Sequence, residues 1–161
     1  MKKAVDFLQK LQIAAGTVFL TIFLVTVVFQ VSSRYVGVTA PWTEEVEMYS
    51  FIWAVFMGAG AMVYEKRHFA FTSLNDLIKN EKIKRVLSIV ISVIMLFFAV
   101  LMVVYGYQVT KQFWGYKWIV FPTLTRGITW MCLPISGATS VIYLIYLIKD
   151  DIEHIVKGDL K

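Results

Sequence analysis

Four stretches of the sequence, 11–33, 48–64, 86–110 and 127–148, contain no Asp, Glu, Lys or Arg. An α-helix needs about 20 apolar residues, within a range of roughly 17–25, to cross the hydrocarbon core of a bilayer. All four stretches fit that window, the second being the shortest. Backbone N–H and C=O groups find no water in hydrocarbon, so a spanning segment must satisfy them internally. Runs of this length do so as helices rather than barrel strands. The expected fold is therefore all-α and integral to the membrane. Four transmembrane helices over about 11–35, 43–65, 86–110 and 127–148 make one membrane domain, 1–161. Charged residues are only 17% of the chain and gather between these runs, whereas a soluble domain carries about 25%.

The first stretch is expected to stay in the membrane. Lys2, Lys3 and Lys10 resemble the basic start of a signal peptide, but the apolar run is too long for one. It ends in Ser32-Ser33-Arg34-Tyr35, without a small-x-small cleavage site. Orientation follows from Lys and Arg, which favour the cytoplasmic side. Twelve of them lie in the N-terminal segment, the second connection and the tail, against four (Arg34, Lys111, Lys117 and Arg126) on the other side. Both termini and the middle connection are thus expected in the cytoplasm. On the far side, Tyr105, Tyr107, Phe113, Trp114, Tyr116, Trp118 and Phe121 crowd the end of the third run. Tyr and Trp suit the headgroup layer, so this segment is expected along the outer interface.

Two short amphipathic segments are expected on the inner surface. Leu74, Leu77 and Ile78 have helical spacing among Asp76, Lys79 and Lys82, which places one over about 72–82. Val5, Leu8 and Gln12 beside Lys2, Lys3, Asp6 and Lys10 suggest another over about 2–10.

Several functions are disfavoured. The single cysteine, Cys132, allows no intramolecular disulfide and no Cys-x-x-Cys site. The net charge of +5 comes from residues flanking apolar runs, which serves orientation and lipid headgroups better than nucleic acid. No ionisable residue lies near the middle of a span, where proton-coupled transporters place theirs. The histidines, His68 and His154, lie at a helix end and in the tail, not facing one another inside a bundle as haem ligation requires. No cofactor is expected in this chain.

The segment between the first two spans is the richest in candidates. Pro41 suits a first helical turn, and Glu44, Glu45 and Glu47 then sit near the positive end of the helix dipole. Trp42 is placed as an interface anchor. Arg34 is positioned to pair with Glu44 or Glu45 and so lock the first two helices together; alternatively the carboxylates face a protein partner. Further along, Ala54, Gly58 and Ala61 form a small-residue stripe, with Gly60 nearby, that suits close helix packing. Pro134 is expected to kink the fourth helix.

These residues together resemble the small membrane subunit of tripartite ATP-independent periplasmic (TRAP) transporters. The likeness rests on four spans with cytoplasmic termini, Arg34-Tyr35 closing the first, and Trp42-Thr43-Glu44-Glu45 opening the second. Gly58-Ala59 within it, Arg67-His68 after it, a Pro122-containing segment and Pro134 complete it. The residues after the histidine, Phe69-Ala70-Phe71-Thr72, depart from the usual small aliphatic ones. The resemblance implies a scaffold subunit in an importer whose periplasmic binding protein delivers an organic acid to a large membrane subunit that carries the sodium sites. Arg34, Trp42, Glu44, Glu45, Gly58 and His68 are then expected to face the large subunit. Lys111, Lys117 and Arg126 are expected to face the binding protein. A homo-oligomeric channel or exporter, or an assembly subunit of another membrane complex, are the alternatives left by the residues alone.

Overall fold

A computed structural model of the chain describes residues 2–65 and 81–157. Its helices are α1 (Lys2–Tyr35), α2 (Trp42–Tyr64), α3 (Glu81–Phe113), α4 (Arg126–Trp130) and α5 (Cys132–Lys157). Four units are long and apolar enough to cross a membrane: α1, α2, α3 from Ile83, and α4 with α5. At 1.5 Å per residue, the 34 residues of α1 extend about 51 Å, well beyond a hydrocarbon core of about 30 Å. Residues 2–10 are the first turns of α1, continuous with the span. The segment 72–82 lies outside the described residues except for its last two positions, which open α3.

Local chemistry sets the boundaries at one end. Helix α1 stops in a Schellman turn: Val38 N–H donates to Ser33 O at 3.0 Å and Gly37 N–H to Arg34 O at 3.2 Å. Gly37 sits at φ +75°, which a side chain would resist. Pro41 follows as the cap of α2. The fourth span is interrupted at Met131, just before Pro134. The proline ring cannot coexist with a regular hydrogen bond to the carbonyl four residues back, and that carbonyl belongs to Trp130.

Packing runs in the order α1, α2, α5, α3, with α4 tucked against α3. In their most apolar stretches, α2 and the α4–α5 unit are 39% buried, whereas α1 and α3 are 17% buried. The inner helices are therefore walled by protein and the two flanks expose aliphatic surface. Lipid tails give helices no hydrophobic reason to associate, so small residues and hydrogen bonds must hold them. The stripe predicted on α2 does this: Gly16 of α1 lies so close that a Cβ there would stand 3.4 Å from Gly58 N and 3.6 Å from Ala54 O. On the other side, a Cβ on Gly137 would come within 3.1 Å of the α3 backbone at Ala99 O and Val103 N. Among the described residues, buried polar side chains outnumber buried apolar ones, fourteen to eleven. The interior is thus held as much by hydrogen bonds as by packing.

Candidate functional site

The two loops at the end where α1 stops form the first feature. The α3–α4 connection is a small hairpin, closed by Arg126 N–H to Tyr116 O at 2.8 Å and Trp118 N–H to Leu124 O at 3.0 Å. Its tip lies on the first turns of α2. Glu45 Oε1 accepts the N–H of Ile119 at 2.8 Å, and Oε2 accepts that of Val120 at 2.9 Å. Arg126 Nη2 stands 3.9 Å from the same carboxylate. Trp118 lies over Tyr49, one turn further along α2, with ring centroids 4.4 Å apart. A carboxylate that accepts two backbone N–H groups replaces hydration lost on burial, and charged acceptors make the stronger bonds of this kind. Glu45 is therefore a clamp within the chain.

That finding corrects one expectation. Arg34 makes no ion pair with Glu44 or Glu45 among the described residues; the cation near Glu45 is Arg126. Arg126, expected to face the binding protein, is half-buried beside this carboxylate. Helical geometry explains the difference. Successive residues on α2 point about 100° apart, so Glu45 turns inward while Glu44 turns out. Glu44 and Arg34 are both exposed and line one cavity of about 430 Å³ with Gln30, Ser33, Thr39 and Pro41. Trp42 is partly exposed and rests on Phe29, with centroids 5.5 Å apart. Lys117 is exposed on the hairpin, and Lys111 is exposed at the end of α3 beside Tyr107 and Trp114. Gly58 is half-buried, and the space where its Cβ would stand is open to 4 Å. His68 lies outside the described residues.

Two further clusters escaped the sequence reading. Between α1, α2 and α5, Gln12 Oε1 accepts the Tyr143 hydroxyl at 2.8 Å and Nε2 donates to Thr139 Oγ1 at 3.0 Å. Ser136 Oγ donates to Phe56 O of α2 at 2.6 Å. Gly60 leaves room for both: a Cβ there would collide with Gln12 Nε2 and stand 2.6 Å from Ser136 Oγ. Near the chain's far end, Ser88 Oγ donates to Asp151 Oδ2 at 2.6 Å, and Arg85 Nη1 lies 3.4 Å from Oδ1. This joins α3 to α5. The polar stripe Thr129, Cys132, Ser136, Ser140 and Tyr143, at helical spacing on the inward face of the fourth span, was the available signal for the first cluster. Asp151 carried none, because it reads as part of a polar tail.

No group of three or more His, Cys, Asp or Glu suited to a metal occurs among the described residues. The fold and its clamps define a multi-pass helical membrane protein whose polar side chains tie one helix to the next. Its family is also identified. The description "Tripartite ATP-independent periplasmic transporters, DctQ component" covers residues 22–154, and the chain belongs to that family, the small membrane subunit of TRAP transporters. No curated protein matches the chain.

Proposed function

We propose that this chain is the scaffold subunit of a TRAP importer in the bacterial inner membrane, with both termini in the cytoplasm and no catalytic role. It binds the large polytopic subunit and helps dock the periplasmic binding protein during sodium-coupled uptake of an organic acid. The observation that carries this reading is the use of a buried carboxylate at the loop end, Glu45, to fix a hairpin. A helical array with its strongest polar contacts spent on itself suits a part that holds still while another part moves.

Contact with the large subunit falls on the outward side of α1 and α2, where Arg34, Trp42, Glu44 and Gly58 lie; His68 is assigned to the same contact. Glu45 contributes at one remove, by fixing the hairpin. Docking of the binding protein falls to Lys117 and Lys111, with Arg126 shaping the hairpin that presents Lys117. The test is a mild-detergent pull-down of the tagged chain from its native membrane, followed by mass spectrometry. A large polytopic membrane protein in about equal amount supports the reading; recovery of the chain alone, or as a homo-oligomer, sinks it. Reversing Lys117 to Glu should weaken uptake most at low salt, because screening within about 10 Å at 0.1 M mutes surface charge. Equal uptake at all salt concentrations removes the docking role.

A further inference from the structure

The geometry points to a binding site for one aminophospholipid of the phosphatidylethanolamine class on the outward side of the α1–α2 pair. The site is built from this chain's own residues, on the face that the subunit reading turns toward the large subunit, so the lipid would lie in that seam; its test uses the isolated chain and stands apart from that reading.

The cavity between the end of α1 and the start of α2 has a volume of about 430 Å³ and carries one cation, Arg34, and one anion, Glu44. Ligand cavities span roughly 300–1,000 Å³. Both side chains are exposed, and neither enters an ion pair among the described residues. Two unpaired opposite charges facing one cavity at the end of a span complement a zwitterion. A phosphate diester matches the guanidinium, whose fork of donors suits its oxygens. A primary ammonium matches Glu44, since its N–H groups donate to carboxylate oxygen.

An apolar path leads away from that cavity. Glu44, Met48, Phe51, Val55 and Met62 recur at helical spacing on α2, and the four apolar ones are 39–49% exposed. Val55 and Met62 then line a second cavity, of about 370 Å³, with Ile13 and Leu20 of α1 across it and Gly58 beside them. Val55 is eleven residues from Glu44, about 16 Å along the helix, which is on the scale of an acyl chain. Headgroup cavity and chain groove thus share one face, charged at the membrane surface and apolar below. A quaternary choline offers Glu44 no N–H, and phosphatidylglycerol offers it no cation.

The full chain, purified in detergent and stripped of lipid, is titrated with phosphatidylethanolamine, phosphatidylcholine and phosphatidylglycerol and read by native mass spectrometry. Phosphatidylethanolamine should bind about tenfold more tightly than the other two, the worth of one charge-assisted hydrogen bond. Glu44→Gln should erase the preference over phosphatidylcholine, and Arg34→Gln should weaken all three lipids, which share the phosphate diester, about tenfold each. Val55→Trp, which fills the groove, should weaken all three. Both charge variants alter exposed residues, so an unchanged melting profile confirms their fold. Equal affinity for the three lipids, or a Glu44→Gln chain that keeps the preference, overturns the proposal. So does displacement of the lipid by inorganic phosphate alone, which would leave the groove without a role. A native-membrane pull-down that recovers no large subunit bears on the subunit reading and leaves this one standing.

Discussion

Two pairs of adjacent carboxylates sit near opposite ends of the bundle, and in each pair the two members have different roles. Glu44 opens onto a surface cavity while Glu45 grips the hairpin. At the other end, Asp150 is half-buried beside His154, with 3.8 Å between Oδ2 and Nδ1, while Asp151 is buried and bonded to Ser88 and Arg85. In both pairs a single step along a helix, about 100°, separates a buried residue that joins two elements from one that lies at the surface. Composition and motif treat the members as equivalent; register decides between them.

The largest test of that contrast is at the loop end. Glu45→Ala leaves two backbone N–H groups and the half-buried Arg126 without their acceptor. A hydrogen bond to a charged group is worth about 1.5–3 kcal/mol, so losing two costs about 3–5 kcal/mol, whereas Glu44→Ala should stay within about 0.5 kcal/mol, as exposed positions do. Unfolding in detergent micelles, followed by tryptophan fluorescence, measures both, and Trp118 over Tyr49 should report hairpin release directly. Equal losses for the two variants break the comparison. The same experiment at the other end replaces Asp151 and Asp150 by Ala. A loss of about 2–3 kcal/mol is expected at Asp151, which forfeits charge-assisted bonds, with little change at Asp150. A neutral reference sits between them. Gly60→Ala should cost about 1–2 kcal/mol, because Gln12 and Ser136 must turn away from the new Cβ and interhelical hydrogen bonds average only about 0.6 kcal/mol each. If Gly60→Ala exceeds Glu45→Ala, the middle of the bundle rather than its ends carries the stability.

The four spans were legible because the length of an uncharged run is a direct consequence of bilayer thickness. The small-residue stripe was legible for a similar reason, since close packing in lipid leaves few choices of side chain, and Ala54 and Gly58 do meet Gly16. The fate of Glu45 was not, because its partners, Ile119 and Val120, are 74 and 75 residues away and contribute only backbone N–H groups, which every sequence has. Gln12 lies at the start of the first uncharged run, and its charged neighbours give it the look of an extension of the surface segment over 2–10. The continuity of α1 instead carries it to Tyr143 and Thr139. Proline chemistry was half legible: Pro134 announced a break, but where it falls depends on the residue four positions earlier.

The Gln12 contacts also impose a timetable. Its partners Thr139 and Tyr143 follow it by 127 and 131 residues. At synthesis rates of about 5–20 residues per second, they emerge roughly 6–25 s after Gln12 does. During that interval α1 waits in the membrane with an amide whose permanent partners do not yet exist, and the bundle can lock only when its last span arrives.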